Sequence, residues 1–247
     1  MSVEQSMTVR ALIIAVGIAI AGFLIGHGFA QSREADRYVT VKGVAERDVQ
    51  ADLAIWPLRI VAADNDLSAA QAKLQTSVQR IMEFLAAQKI DTSLATLMNF
   101  EVSDAFANQY GGAERAPTRY VIRQTVVVRS TNPASVLAAS QHVGELVSSG
   151  VVLSSGGGGG VGGGGPTFVF TGLNKLKPSM IADATARARE AAQQFAADSR
   201  SELGAIRQAN QGVFEILPRD QADGISEESQ VAKTVRVVST VDYSLRN

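Results

Sequence analysis

Two histidines, His27 and His142, are the whole supply of imidazole in this 247-residue chain, and cysteine is absent. A serine or threonine nucleophile needs a base within hydrogen-bond reach. Such chemistry would therefore rest on one of these two rings or on a carboxylate. His27 falls at the end of the apolar run from Ala11 to Ala30, and His142 lies in a segment of helical character. Neither belongs to H-E-x-x-H, and no G-x-S-x-G is present. The lack of cysteine removes thiolate catalysis, disulfides and Cys-based zinc sites together. Glu46, Asp48 and Asp52 are close in sequence, but a solvated turn accounts for them. Asp220 to Glu228 is acidic without EF-hand spacing and reads as a hairpin loop. No catalytic residue, cofactor or metal is assigned.

Glycine forms the densest pattern: Gly156 to Gly160, Val161, then Gly162 to Gly165. Phosphate cradling needs a strand before the glycines and a helix after them, with GK[ST] in the P-loop form. Here Pro166 and the strand-like Thr167-Phe168-Val169-Phe170 follow, so the run reads as a flexible surface loop. The net charge of −1 lacks the basic face that a nucleic-acid partner requires.

The elements that would carry these residues follow from periodicity. Val39 and Val41 alternate with Thr40 and Lys42 over a strand from Tyr38 to Val44, and Glu46-Arg47-Asp48 is expected to turn. Asp52 to Ala63 is a second strand. Its Pro57 requires an edge or a bulge, and Trp56 reads as core. Asp66 is an N-cap for a helix whose apolar stripe is Leu67, Ala70, Leu74, Val78, Ile81 and Leu85. Leu94–Ser103 and Tyr120–Ser130 form a strand pair joined by the polar loop Asp104–Thr118. That loop is long for a hairpin, and Phe106 and Tyr110 on it are candidate contact residues. Pro133 opens a second helix that Gly150 closes. Pro178 is expected to start a third, alanine-rich helix buried along Ile181, Ala184, Ala188, Ala191 and Phe195. Gly204–Leu217 and Val231–Leu245 are the last strands, with Val235, Val237, Val241, Tyr243 and Leu245 on one face of the second.

The run Ala11–Ala30 is about the length that crosses a ~30 Å hydrocarbon core as a helix. Gly28-Phe29-Ala30 before Gln31 also fits a signal-peptide cleavage site, but the run is longer than a signal core and favours an uncleaved anchor. Gly17/Ala21 and Gly22/Gly26 are small-xxx-small pairs that would let helices approach closely. The expected organisation is an anchor at 1–30, a tether at 31–37 and a body at 38–247. The fold class is α+β: a transmembrane helix, then antiparallel strands backed by long helices.

Tyr38-Val39-Thr40-Val41-Lys42-Gly43-Val44-Ala45-Glu46 and Val49-x-Ala51-Asp52-Leu53-Ala54 resemble the opening of the SIMPL-domain family, formerly DUF541. There a V-x-G-x-(A/G)-E strand precedes a P/A-D-x-A strand. Phe170-Thr171-Gly172-Leu173-Asn174, Pro178-x-Met180-Ile181, Ala184-x-x-x-Ala188-Arg189-Glu190-Ala191-Ala192 and Val235 to Val241 are similar to its membrane-anchored bacterial branch. The glycine run departs from the short polar loop expected there. The resemblance implies a periplasmic or membrane-associated protein; relatives include an outer-membrane immunogen and are linked to envelope and oxidative stress. Some assemble into large rings, and the family brings no catalytic residues.

The expected function is a single-pass bacterial inner-membrane protein with its body in the periplasm. It would self-assemble into a high-order homo-oligomer, ring- or cage-like, with a structural or envelope-stress role and no catalysis. Its partners would be further copies of itself, the bilayer through residues 11–30 and an unidentified envelope protein. The alternatives are a partner- or ligand-binding envelope module and an uncharacterised hydrolase.

Overall fold

A computed structural model of the chain describes residues 15–26, 37–107, 117–154 and 164–246. It is α+β with antiparallel sheets, as expected. The strands are β1 (Tyr38–Gln50), β2 (Leu53–Asp64), β3 (Ala95–Asp104), β4 (Tyr120–Ser130), β5 (Thr167–Val169), β6 (Glu202–Gln211), β7 (Glu215–Pro218) and β8 (Ala232–Arg246). The body's helices are α1 (Leu67–Ala87), α2 (Pro133–Gln141), α3 (Gly144–Ser148) and α4 (Leu173–Asp198).

A further helix covers 15–26. Among the described residues no helix is long and apolar enough to cross a membrane. The expected spanning helix is therefore not seen there. Residues 11–14 and 27–30 of the apolar run, and 31–36 of the tether, lie outside the described residues.

The chain divides into two compact units: Met1–Ala45 with Pro178–Phe214 and Val237–Asn247, and Glu46–Lys177 with Glu215–Arg236. The second unit is built on a sheet ordered β3-β4-β2-β5. β2 and β4 pair antiparallel without slippage, from Ala54 opposite Ser130 to Asp64 opposite Tyr120. Alternation buries Ala54, Trp56, Leu58, Ile60 and Ala62 in one cluster with Ala70, Leu74, Ile81 and Leu85 of α1. Asp66 caps α1 by accepting the Ala69 N–H at 2.9 Å. The expected helix from Pro133 to Gly150 is instead two, because the chain bends after Gln141.

Pro57 is tolerated for a readable reason. Val61 donates to the Val152 carbonyl and Arg59 accepts from Ser154, both on the side of β2 away from β4. Pro57 has the same parity, so its missing N–H faces that side. There β5 pairs only with Leu53 to Ile55. The edge expected at Pro57 is thus a short gap, with β5 before it and Val152–Ser154 after it.

In the first unit a row at strict four-residue spacing, Met180, Ala184, Ala188, Ala192 and Ala196, is the buried face of α4. The expected stripe is corrected: Phe195 is exposed. Val41, Ala188, Ala192, Val241 and Tyr243 form one buried cluster. At Gly43 a Cβ would stand 1.8 Å from the Ala184 carbonyl oxygen and 2.6 Å from the Ala188 amide. The glycine and the small residues are what let strand and helix meet.

Three other expectations are corrected. Glu46 to Asp48 continue β1 rather than turning, because the period-two pattern runs on to Gln50. Pro178 lies inside α4, where it removes one rung, and not at its start. Gly204 to Leu217 is two strands, β6 and β7, with an interruption at Gly212 to Phe214.

Candidate functional site

The end of the second unit's sheet that carries the loop after β3 gathers the most polar chemistry. Tyr120 stands opposite Asp64 of β2 on one side and Asp104 of β3 on the other. The α1 cap and the loop ends therefore converge on one rim. Arg119 donates to Asp104 through Nε at 3.3 Å and Nη2 at 3.2 Å, and its amide donates to Asn65 Oδ1 at 3.0 Å. Its guanidinium carbon lies 4.8 Å from the Tyr120 ring centre and 5.5 Å from that of Phe106. The Phe106 amide donates to Asp104 Oδ1 at 2.9 Å, and its ring is 57% exposed. Tyr110, the second contact candidate, lies outside the described residues.

The carboxylates on this rim are all engaged. Lys73 reaches Asp64 at 2.6 Å and holds its carboxyl below the ordinary aspartate range. The Ser68 hydroxyl, then the Ala69 amide, do the same for Asp66. Arg119 does so for Asp104, and its own pKa is raised in return. A general base must be positioned to take a proton near working pH. These groups are instead kept ionised and already accept hydrogen bonds. The rim presents an exposed aromatic face backed by a fixed cation.

The remaining sequence candidates are not brought together. Glu46 pairs with Arg236 at 3.4 Å, and Asp48 accepts the Thr234 hydroxyl at 2.7 Å. Asp52 accepts both the amide and the hydroxyl of Thr171 at 2.9 Å. These carboxylates join segments of the fold. His142 meets Glu145 at 3.3 Å on an exposed helix end, and His27 lies outside the described residues. Among the described residues no group of three His, Asp or Glu side chains could hold a metal. Gly17, Ala21, Gly22 and Gly26 all lie on the exposed helix over 15–26, and nothing stands within 4 Å of a Cβ built on the three glycines. Of the glycine run, 156–163 lies outside the described residues. At its end the Gly164 carbonyl accepts the Trp56 indole N–H at 3.3 Å, which ties Gly164 to the core.

Two features escaped the sequence reading. Lys233 is fully buried, and its Nζ donates to the Glu227 carboxylate and, at 2.6 Å, to the Glu227 carbonyl. The signal was there: Lys233 shares the inward parity of Val235 and Val237 on β8. The second is β3, the outermost strand of its sheet, on which Leu97, Met98, Phe100 and Val102 are all exposed. A bulge between Met98 and Glu101, with Asn99 at φ 53°, shifts the register of this strand on β4.

The family model for SIMPL, described as a protein of unknown function (DUF541), matches residues 39–243. No curated protein matches the chain.

Proposed function

The chain belongs to the SIMPL family, and from that premise we propose that it is a membrane-anchored assembly protein without catalysis. Residues 11–30 hold it in the bacterial inner membrane, and the body faces the periplasm. Copies associate into a large homo-oligomer with a structural or envelope-stress role. The observation that carries this reading is β3. An outermost strand bearing exposed Leu97, Met98, Phe100 and Val102 is a surface that water disfavours and that a further strand can cover. The anchor rests on the uncharged run from Ala11 to Ala30, and the bare small-residue faces of helix 15–26 are free to meet other helices. Light scattering of the full chain in mild detergent tests the assembly: a particle of many copies is expected, and a monomer at working concentration contradicts it.

A second reading, an envelope protein bound at the rim, is favoured by one arrangement, Phe106 exposed beneath the Arg119 guanidinium. Arginine and aromatic side chains are common anchors of protein interfaces. Pull-down from envelope extracts with and without residues 104–118 tests it; an unchanged set of partners removes it.

A further inference from the structure

A cleft of about 550 Å³ opens in the second unit between the outer edge of β2, the middle of α1 and the segment that leaves α3. That size falls in the range of small-ligand sites. Its walls are apolar, from Val61, Ala62, Ala63, Ala72 and Val152. Among the described residues its charged lining is Lys73 and Arg80, with no carboxylate. Lys73 is neutralised by Asp64. Arg80 is not: among the described residues its one partner is the Ser149 carbonyl, which accepts from Nη1. The other donors of its guanidinium fork remain available.

The strand edge supplies a further donor. Val61 gives its N–H to Val152 on the outer side of β2. The two-residue period of a strand puts the backbone groups of Ala63 on that same side. Its carbonyl confirms this by accepting Lys73 Nζ at 3.4 Å. Among the described residues no strand continues the pairing past Val61, so the Ala63 amide faces the cleft. The Thr76 and Ser77 hydroxyls donate back to Ala72 and Lys73 of their own helix and add no free donor.

An uncompensated guanidinium, an unpaired amide and apolar walls suit a single carboxylate carried on a short apolar body. We infer that this cleft binds such a monocarboxylate through Arg80 and the Ala63 amide. The source is a free short-chain acid or the C-terminal carboxylate of an extended peptide. This site stands independently of the assembly reading.

Calorimetric titration of the full chain in mild detergent tests it, with butyrate, butyramide, and the tripeptide Ala-Val-Val with a free or an amidated C-terminus as probes. Butyrate or the free tripeptide is expected to bind, and the corresponding amide about tenfold more weakly or worse. Binding by butyrate alone identifies a free acid; binding by the tripeptide alone identifies a chain terminus. Arg80→Gln should weaken binding by a similar factor while Arg80→Lys retains most of it. Val152→Asp, on an exposed wall residue, should repel the carboxylate without altering the fold. Equal binding of acid and amide overturns the inference, as does unchanged affinity in Arg80→Gln or Val152→Asp, or no heat with either acid.

Discussion

Large side chains fill the interior of the second unit: Trp56, Ile60, Ile81, Leu85 and Phe168 belong to one buried cluster. In the first unit the buried face of α4 is one methionine and four alanines, and β1 meets it with Gly43. The two interiors fail in opposite ways. The large-residue core is stabilised by area and suffers when atoms are removed. The small-residue interface is stabilised by closeness and suffers when atoms are added.

Paired substitutions should separate the two. Trp56→Ala is expected to cost the second unit about 3–5 kcal/mol through lost burial and a cavity. Gly43→Ala should cost the first unit about 3 kcal/mol, the upper end for overpacking, because the new methyl meets backbone and not a movable side chain. Hydrogen exchange reads each unit directly. Gly43→Ala should lose protection first at Val41 and Val241, and Trp56→Ala first at Ile60 and Val126. Uniform loss in both variants would refute the contrast.

Acid sharpens the same comparison. Asp64, Asp66, Asp91 and Asp104 all belong to the second unit and sit below the ordinary value of 3.8. The largest causes are Lys73, Ser68, Ser93 and Arg119 respectively. A carboxylate lowered by folding contributes stability above its unfolded pKa and loses it as pH falls through the folded value. The fluorescence of Trp56, the sole tryptophan, should therefore hold steady down to about pH 4 and report loss of the second unit only below it. A transition centred near pH 6 would contradict this.

The smallest effect is expected in the first unit. The Tyr243 hydroxyl is buried with no hydrogen-bond partner among the described residues. Removing an unsatisfied buried polar group while keeping the ring is nearly neutral or stabilising. Tyr243→Phe should leave the thermal midpoint unchanged or slightly raised; a clear fall would mean that the hydroxyl is satisfied.

Local rules carried much of this fold into the sequence. Asp66 and Pro133 marked helix starts because capping and the proline ring act within one turn. Alternation marked β1, β4 and β8. Readings failed where a distant partner decided the outcome. Glu46 and Asp48 look like a turn until Arg236 and Thr234 of β8 are opposite them. Phe195 looks buried until the alanine row claims the inner face of α4. Of the rim, Phe106 was legible from its loop, but Arg119 was not, since its role depends on Asp104, Asn65 and Tyr120 closing around it. The cleft at Arg80 was invisible, because strand parity at Ala63 emerges only once Val152 pairs with Val61.

The proposed joining of copies through β3 is tested most directly by the particle mass of the full chain in mild detergent, wild type against Phe100→Lys. Phe100 is exposed on β3, so the change should spare the fold. A multi-copy wild-type particle that falls to a much smaller species in Phe100→Lys is the predicted result. A monomeric wild type, or an oligomer that Phe100→Lys leaves intact, would contradict it.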